Sequence, residues 1–149
     1  MKAKATNEMI LEFPAQSCNE SFARAVIACF AAQLDPTINE LEDIKTAVSE
    51  AVTNAIVHAY PVSIGTVQLK VRIYDGNVLE LTVKDYGQGI QNIEKAREPM
   101  YTTRGEERSG MGFTIMESFV DRLSVRSVPG KGTTVVMKKK LVSRIRTTR

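Results

Sequence analysis

Glu50, Asn54 and His58 stand four residues apart, so on a helix they line one stripe that carries a carboxylate, a carboxamide and an imidazole. Such groups must be hydrogen-bonded or face a cavity, because unpaired burial costs about 1–3 kcal/mol each. A carboxylate can take a proton, and a carboxamide oxygen can hold a hard cation. His58 is the chain's one histidine; it has no partner in sequence for a metal site or a relay and is read as a structural residue. Asp85-Tyr-Gly-Gln-Gly89 directly follows a strand pattern. Alternate glycines let backbone amides approach a ligand, and an aspartate at a strand end can accept from an exocyclic amino group such as that of adenine. Ser109-Gly-Met-Gly112 precedes an amphipathic segment and offers free amides and the positive end of a helix dipole, a place for phosphates. Gly130-Lys-Gly-Thr-Thr134 lies between two strand patterns. Each alone has a plain alternative, a solvated helix face, a tight turn or a glycine-rich helix start; their order along the chain is what carries information.

The elements that must position these residues follow from periodicity. Glu8 to Phe13 is expected as a first strand, ended by Pro14. Ser17 with Glu20 has the spacing of a capping box, and Phe22, Val26, Ile27 and Phe30 recur at helical spacing up to Leu34. Thr37 with Glu40 repeats the box before a long helix whose apolar stripe is Leu41, Ile44, Val48, Val52 and Ile56, closed at Tyr60-Pro61. Val67, Leu69, Val71 and Ile73, then Leu79, Leu81 and Val83, alternate around Asp75-Gly-Asn77 as a hairpin. Gln91 to Arg108 has little periodicity. Phe113 to Val120 is expected as a helix, and Leu123 to Val128 and Thr133 to Val142 as strands. The order β-α-α-β-β-loop-α-β-β predicts an α+β two-layer sandwich, a mixed, mostly antiparallel sheet with helices on one face.

These 149 residues are 43% hydrophobic and 25% charged, the composition of one folded domain rather than of a disordered or coiled-coil chain. The longest apolar stretch, Ala25 to Ala32, is too short to span a bilayer, and the first residues lack a signal peptide's apolar core, so a cytoplasmic protein with no membrane contact is expected. Cys18 and Cys29 fall in one helix and read as reduced residues. The net charge of +3 is polarised: from Arg122 onward there are nine bases and no acid, against eleven bases and seventeen acids before. No aromatic residue interleaves those bases, so a solvated strand edge, rather than a nucleic-acid arm, is the expectation. Residues 1–141 are expected as the domain and 142–149 as a basic tail.

Taken together, Glu50 to Tyr60, Asp85 to Gly89, Ser109 to Gly112 and Gly130 to Thr134 resemble the asparagine box and three glycine boxes of the ATP-binding superfamily shared by gyrase, heat-shock chaperone ATPases, histidine kinases and MutL. Within it, Asn19 to Arg24, Gln33-Leu-Asp-Pro36 and Arg108 to Glu117 resemble the small serine protein kinases that act as anti-sigma factors, above all the sporulation anti-sigma-F group of Bacillus and its relatives. The likeness runs from about Asn7 to Leu141.

This resemblance implies a Bergerat-type fold that binds ATP and Mg²⁺, phosphorylates a serine of an anti-anti-sigma protein, and as a homodimer sequesters sigma factor F in the presence of ATP. It implies Asn54 as the Mg²⁺ ligand and Glu50 as the base that takes the serine proton. Asp85, Gly87, Gly89, Ser109, Gly110, Met111, Gly112 and Thr133 are implied around the nucleotide. Thr102, Thr103, Arg104 and Arg108 are candidate phosphate contacts from a lid over it, and Glu20 and Arg24 face the sigma factor. A regulator that binds ATP without transferring phosphate is the alternative from another class, and Glu50 argues against it.

Overall fold

The computed structural model describes residues 3–98 and 112–142. In chain order the elements are β1 (Asn7–Pro14), α1 (Cys18–Ala31) with a 3-10 turn at Ala32–Leu34, α2 (Ile38–Val57), β2 (Thr66–Tyr74), β3 (Val78–Asp85), α3 (Ile93–Ala96), α4 (Gly112–Phe119), β4 (Arg122–Val128) and β5 (Gly132–Lys140). The sheet order is β1-β2-β3-β5-β4, and all four pairings are antiparallel, so the expected mixed sheet is purely antiparallel.

Alternation builds the inner face of the sheet. Val67, Leu69, Val71 and Ile73 on β2, Leu79, Leu81 and Val83 on β3, and Val135 and Met137 on β5 are buried, while their neighbours in sequence point away from the helices. Against them α2 lays Ile44, Ala47, Val48, Ala51, Val52, Ala55 and Ile56. Each aliphatic side chain fully removed from water contributes roughly 1.5–3 kcal/mol, and this two-layer core stabilises the α2 face that carries Glu50 and Asn54.

Three sequence expectations change. Thr37 has extended backbone (φ −69°, ψ 164°) and completes its capping box: its hydroxyl accepts from Glu40 N–H (3.0 Å), and Glu40 Oε1 accepts from Thr37 N–H (2.9 Å). Ser17 forms no such box, because it is already helical (φ −59°, ψ −29°) and its hydroxyl makes no capping bond. The buried stripe of α1 is Ala23, Ile27 and Ala31, whereas Phe22 is 48% exposed. Finally, α2 stops at Val57, short of Tyr60-Pro61. The carbonyls of His58 and Ala59 are taken by Gln88, through its side-chain amide (2.6 Å) and its backbone N–H (2.9 Å), so tertiary partners end the helix before proline does.

Candidate nucleotide site

Two groups of residues, both near the C-terminal half of α2, form the site. On one flank α4 begins at Gly112, whose α-carbon sits against the functional stripe. A Cβ there would lie 3.2 Å from Asn54 Nδ2, 3.3 Å from Asn54 Oδ1 and 3.5 Å from Glu50 Oε2. The carboxamide and the carboxylate, one helical turn apart, are thus side by side next to the start of a second helix. The spacing of Glu50 and Asn54 was legible in sequence; their meeting with Gly112 is tertiary. His58 caps the C-terminus of α2, its backbone N–H donating to Asn54 O.

On the other flank stands Asp85, the last residue of β3 and directly across from Thr133 of β5. Asp85 is 7% exposed and Thr133 is 8% exposed. One carboxylate oxygen, Oδ1, accepts the backbone N–H of Gly87 (3.0 Å) and of Thr133 (3.2 Å), leaving Oδ2 outside these bonds. Burial pushes the Asp85 carboxyl above its ordinary range, and the two amides oppose that shift without cancelling it. The loop after Asp85 needs its glycines: a Cβ on Gly87 would overlap Ala59 O, and Gly89 has φ +77° with its α-carbon against the Val128 backbone. Gly132, at φ +131°, lies so close to Asp85 O that no side chain fits.

Two residues that sequence reasoning did not single out hold this flank together. Tyr60 donates its hydroxyl to Thr66 O (2.8 Å) and accepts Tyr86 N–H (2.7 Å), joining the end of α2 to the first residue past Asp85. Burial raises the pKa of this phenol and keeps it a donor. In sequence Tyr60 read only as a helix stop. Ser127 accepts Ile90 N–H (2.7 Å), donates to Gly132 O (3.0 Å) and stands 2.8 Å from Thr133 Oγ1. It occupies the same side of β4 as Leu123 and Val125, and a serine where the alternation demands an apolar residue was the available signal.

The site therefore offers a buried, partly engaged carboxylate beside glycine loops, and a carboxamide–carboxylate pair on α2 at the start of a second helix. The first can accept hydrogen bonds from a planar amino group; the second can take a proton and hold a cation near an anion. Residues 13–139 match the family described as "Histidine kinase-like ATPase domain". The chain is 59% identical to an anti-sigma F factor of Thermoanaerobacter sp. strain X514, over 90% of this chain and 94% of that protein. It is 61% identical to one from Geobacillus sp. strain WCH70, over 89% and 92%.

The chain belongs to the anti-sigma F factor family of histidine kinase-like ATPase domains.

The crystal structure of the RsbU and RsbW domains of Rv1364c from Mycobacterium tuberculosis superimposes with a TM-score of 0.69 at 20% identity, covering 95% of this chain and 35% of that one, and so shares the fold. Membership in the anti-sigma F factor family bears out the resemblance drawn from the four boxes and carries ATP use with it. Among the described residues no helix is long and apolar enough to cross a membrane. Of the residues expected around the nucleotide, Thr102, Thr103, Arg104, Arg108, Ser109, Gly110 and Met111 lie outside the described residues. Glu20 and Arg24 lie away from the cleft on α1, as an ion pair at 3.7 Å.

Proposed function

We propose that this chain is a protein serine kinase and anti-sigma factor: it binds Mg-ATP between the Glu50–Asn54 pair and the Asp85 loop, transfers the γ-phosphoryl group to a serine of an anti-anti-sigma protein, and as a homodimer holds sigma factor F while ATP is bound. The observation that carries this reading is the placement of Glu50 Oε2 and the Asn54 carboxamide against the α-carbon of Gly112, in a cradle that any side chain at 112 would invade. The names of relatives at 59–61% identity support the partner.

In this reading Asp85 Oδ2 accepts from the adenine amino group, and Oδ1 is held in place by Gly87 and Thr133. Asn54 presents a hard oxygen of the kind Mg²⁺ prefers, and Gly112, having no side chain, puts nothing between its α-carbon and the Asn54 and Glu50 side chains, so the residues present fit the cofactor. Bound there, Mg²⁺ would offset phosphate charge. Glu50, one turn from Asn54, takes the proton from the acceptor serine hydroxyl as that oxygen attacks. Thr102, Thr103, Arg104, Arg108, Ser109, Gly110 and Met111 are proposed around the phosphates from their sequence alone. On α1, Glu20, Arg24 and the exposed Phe22 are proposed as the sigma-facing surface.

The test is a pull-down from a sporulating culture with ATP and again with ADP, coupled to transfer of label from γ-labelled ATP. Sigma factor retained with ATP, together with a labelled phosphoserine on a small copurifying protein, is the expected result. Retention without any labelled serine would reduce the chain to a nucleotide-dependent binder.

A further inference from the structure

β5 turns one charged side chain toward the helices. Its inner face runs Thr133, Val135, Met137, Lys139, and Lys139 lies across from the fully buried Leu79 with 13% of its side chain exposed. An ammonium placed where the alternation calls for an apolar residue is costly unless oxygens receive it. Two do. Lys139 Nζ donates to the carbonyl of Phe119, the last residue of α4, at 3.0 Å, and stands 3.5 Å from Asp43 Oδ2 on α2. That carbonyl is one of those a helix end leaves without an intrahelical partner, at the negative end of the helix dipole. No step of the proposed phosphoryl transfer uses this charge.

These contacts fix how α4 lies. Its last residue shares an ammonium with Asp43, near the start of α2, while its first, Gly112, abuts Glu50 and Asn54 further along the same helix. So α4 runs antiparallel to α2 and is held against it at both ends. The lengths agree: the ends of an eight-residue helix are about 11 Å apart, and Asp43 lies about 11 Å along α2 from Glu50. Phe113 and Met116 bury the inner side of α4, but apolar contact is non-directional and resists separation more than sliding. Asp121 ties the turn after α4 to β5, its N–H donating to Lys138 O (2.9 Å) and its Oδ2 accepting Lys140 N–H (2.6 Å). Only the Lys139 ammonium, among these bonds, joins α4 to α2.

We infer that Lys139 is a positioning residue for the phosphate side of the site: by binding one oxygen of α4 and one of α2 it holds α4 in register along α2, and so keeps the start of α4 against Asn54 and Glu50. This rests on the nucleotide reading of the site. The base side is separate, because Asp85 pairs with Thr133 at the other end of β5, about 20 Å of strand from Lys139.

The experiment titrates the full chain and Lys139→Met, which keeps an aliphatic stem and removes the ammonium, with Mg-ATP and with adenosine, following the amide NMR signals of Gly87 and Gly89. ATP affinity should fall about tenfold, the low end of what one hydrogen bond to a charged group contributes, while adenosine affinity stays as it was. Asp43→Asn leaves the ammonium on Phe119 O and cuts its tie to α2. It should weaken ATP by a smaller factor, about threefold, again without changing adenosine, and it reads the same ratio if Lys139→Met does not fold. If both ligands weaken alike, or if the ratio of the two affinities is unchanged in both variants, Lys139 is a structural tie only and the inference falls while ATP binding by the native chain stands. If the native chain binds neither ligand, the nucleotide reading falls and takes this inference with it.

Discussion

Glu50 and Asn54 differ by one turn of helix, yet their proposed duties separate cleanly. Glu50→Gln keeps the shape of the side chain and removes its ability to accept a proton. Serine phosphorylation should drop by ~10² to 10⁴ while ATP affinity holds, because general-base help is worth that much and Asn54 and Asp85 are untouched. A radiolabel assay beside calorimetry separates the two, and unchanged transfer would remove Glu50 from the chemistry. Asp85→Asn should weaken ATP roughly ten- to a hundredfold, the worth of a hydrogen bond to a charged group, without unfolding the chain. The pH dependence follows from burial, which raises the Asp85 pKa above that of an ordinary aspartate. The charged form is disfavoured in the fold, so as the pH falls through that raised value the group's contribution to stability improves while its capacity to accept from the base declines. ATP affinity measured against pH should begin to fall above the ordinary aspartate range, and the Asn variant should lack that inflection.

At the scale of elements, α2 does most of the positioning, and its N-terminus is tied at more points than its length requires. Glu40 closes the capping box with one oxygen and accepts Val142 N–H (2.7 Å) with the other, so the start of α2 and the end of the sheet share one carboxylate. Burial alone would push the Glu40 pKa up; the amides of Thr37 and Val142 outweigh it and hold the group below its ordinary value. A lowered carboxyl pKa stabilises the fold above the ordinary glutamate range, and that contribution is lost as the pH falls through the lowered value. Thr37→Ala should cost about 1 kcal/mol of stability. Glu40→Gln should lower the melting temperature at neutral pH and have a smaller effect in acid, which thermal melts across pH will show. Neither change touches the cleft, about three to four turns of helix away, and nucleotide affinity should stay as it was.

Over the whole molecule, the basic final third is not an isolated patch. β5 is an interior strand between β3 and β4, and its lysines meet acids of the body: Lys138 pairs with Glu80 (3.5 Å) and Lys139 with Asp43 (3.5 Å), while Lys139 also donates to Phe119 O at the end of α4 (3.0 Å). The solvated-edge reading therefore applies to β4, which carries exposed Arg122 and Arg126 at the rim, and fails for β5. Two of these bases thus join the last strand to the acidic body, one to β3 and one to α2. Removing residues 143–149 leaves these pairs and the Val142 contact in place, so kinase activity and sigma binding should be unaltered; a truncated chain that loses its partner would make the tail part of the interface. Arg24→Ala, on a helix remote from the cleft, should weaken sigma retention by about 2 kcal/mol while sparing ATP binding, as expected of an interface arginine rather than a helix salt bridge.

The strand alternation, the α2 stripe, the Thr37 box and the four chemical segments were all readable from the chain, because each is a local pattern repeated at the period of its own element. The order of those segments was enough to assign the superfamily. Which residues touch was decided by the topology. Asp85 and Thr133, 48 positions apart, are neighbours only because β5 inserts between β3 and β4, and Gly112 reaches Asn54 only because α4 packs on α2. Tyr60 and Ser127 escaped notice because a hydroxyl acquires its role from partners that folding brings to it. Ser17 shows the converse: the residues of a capping box were present, but the backbone entering α1 was already helical and left its side chain no orphan amide to reach.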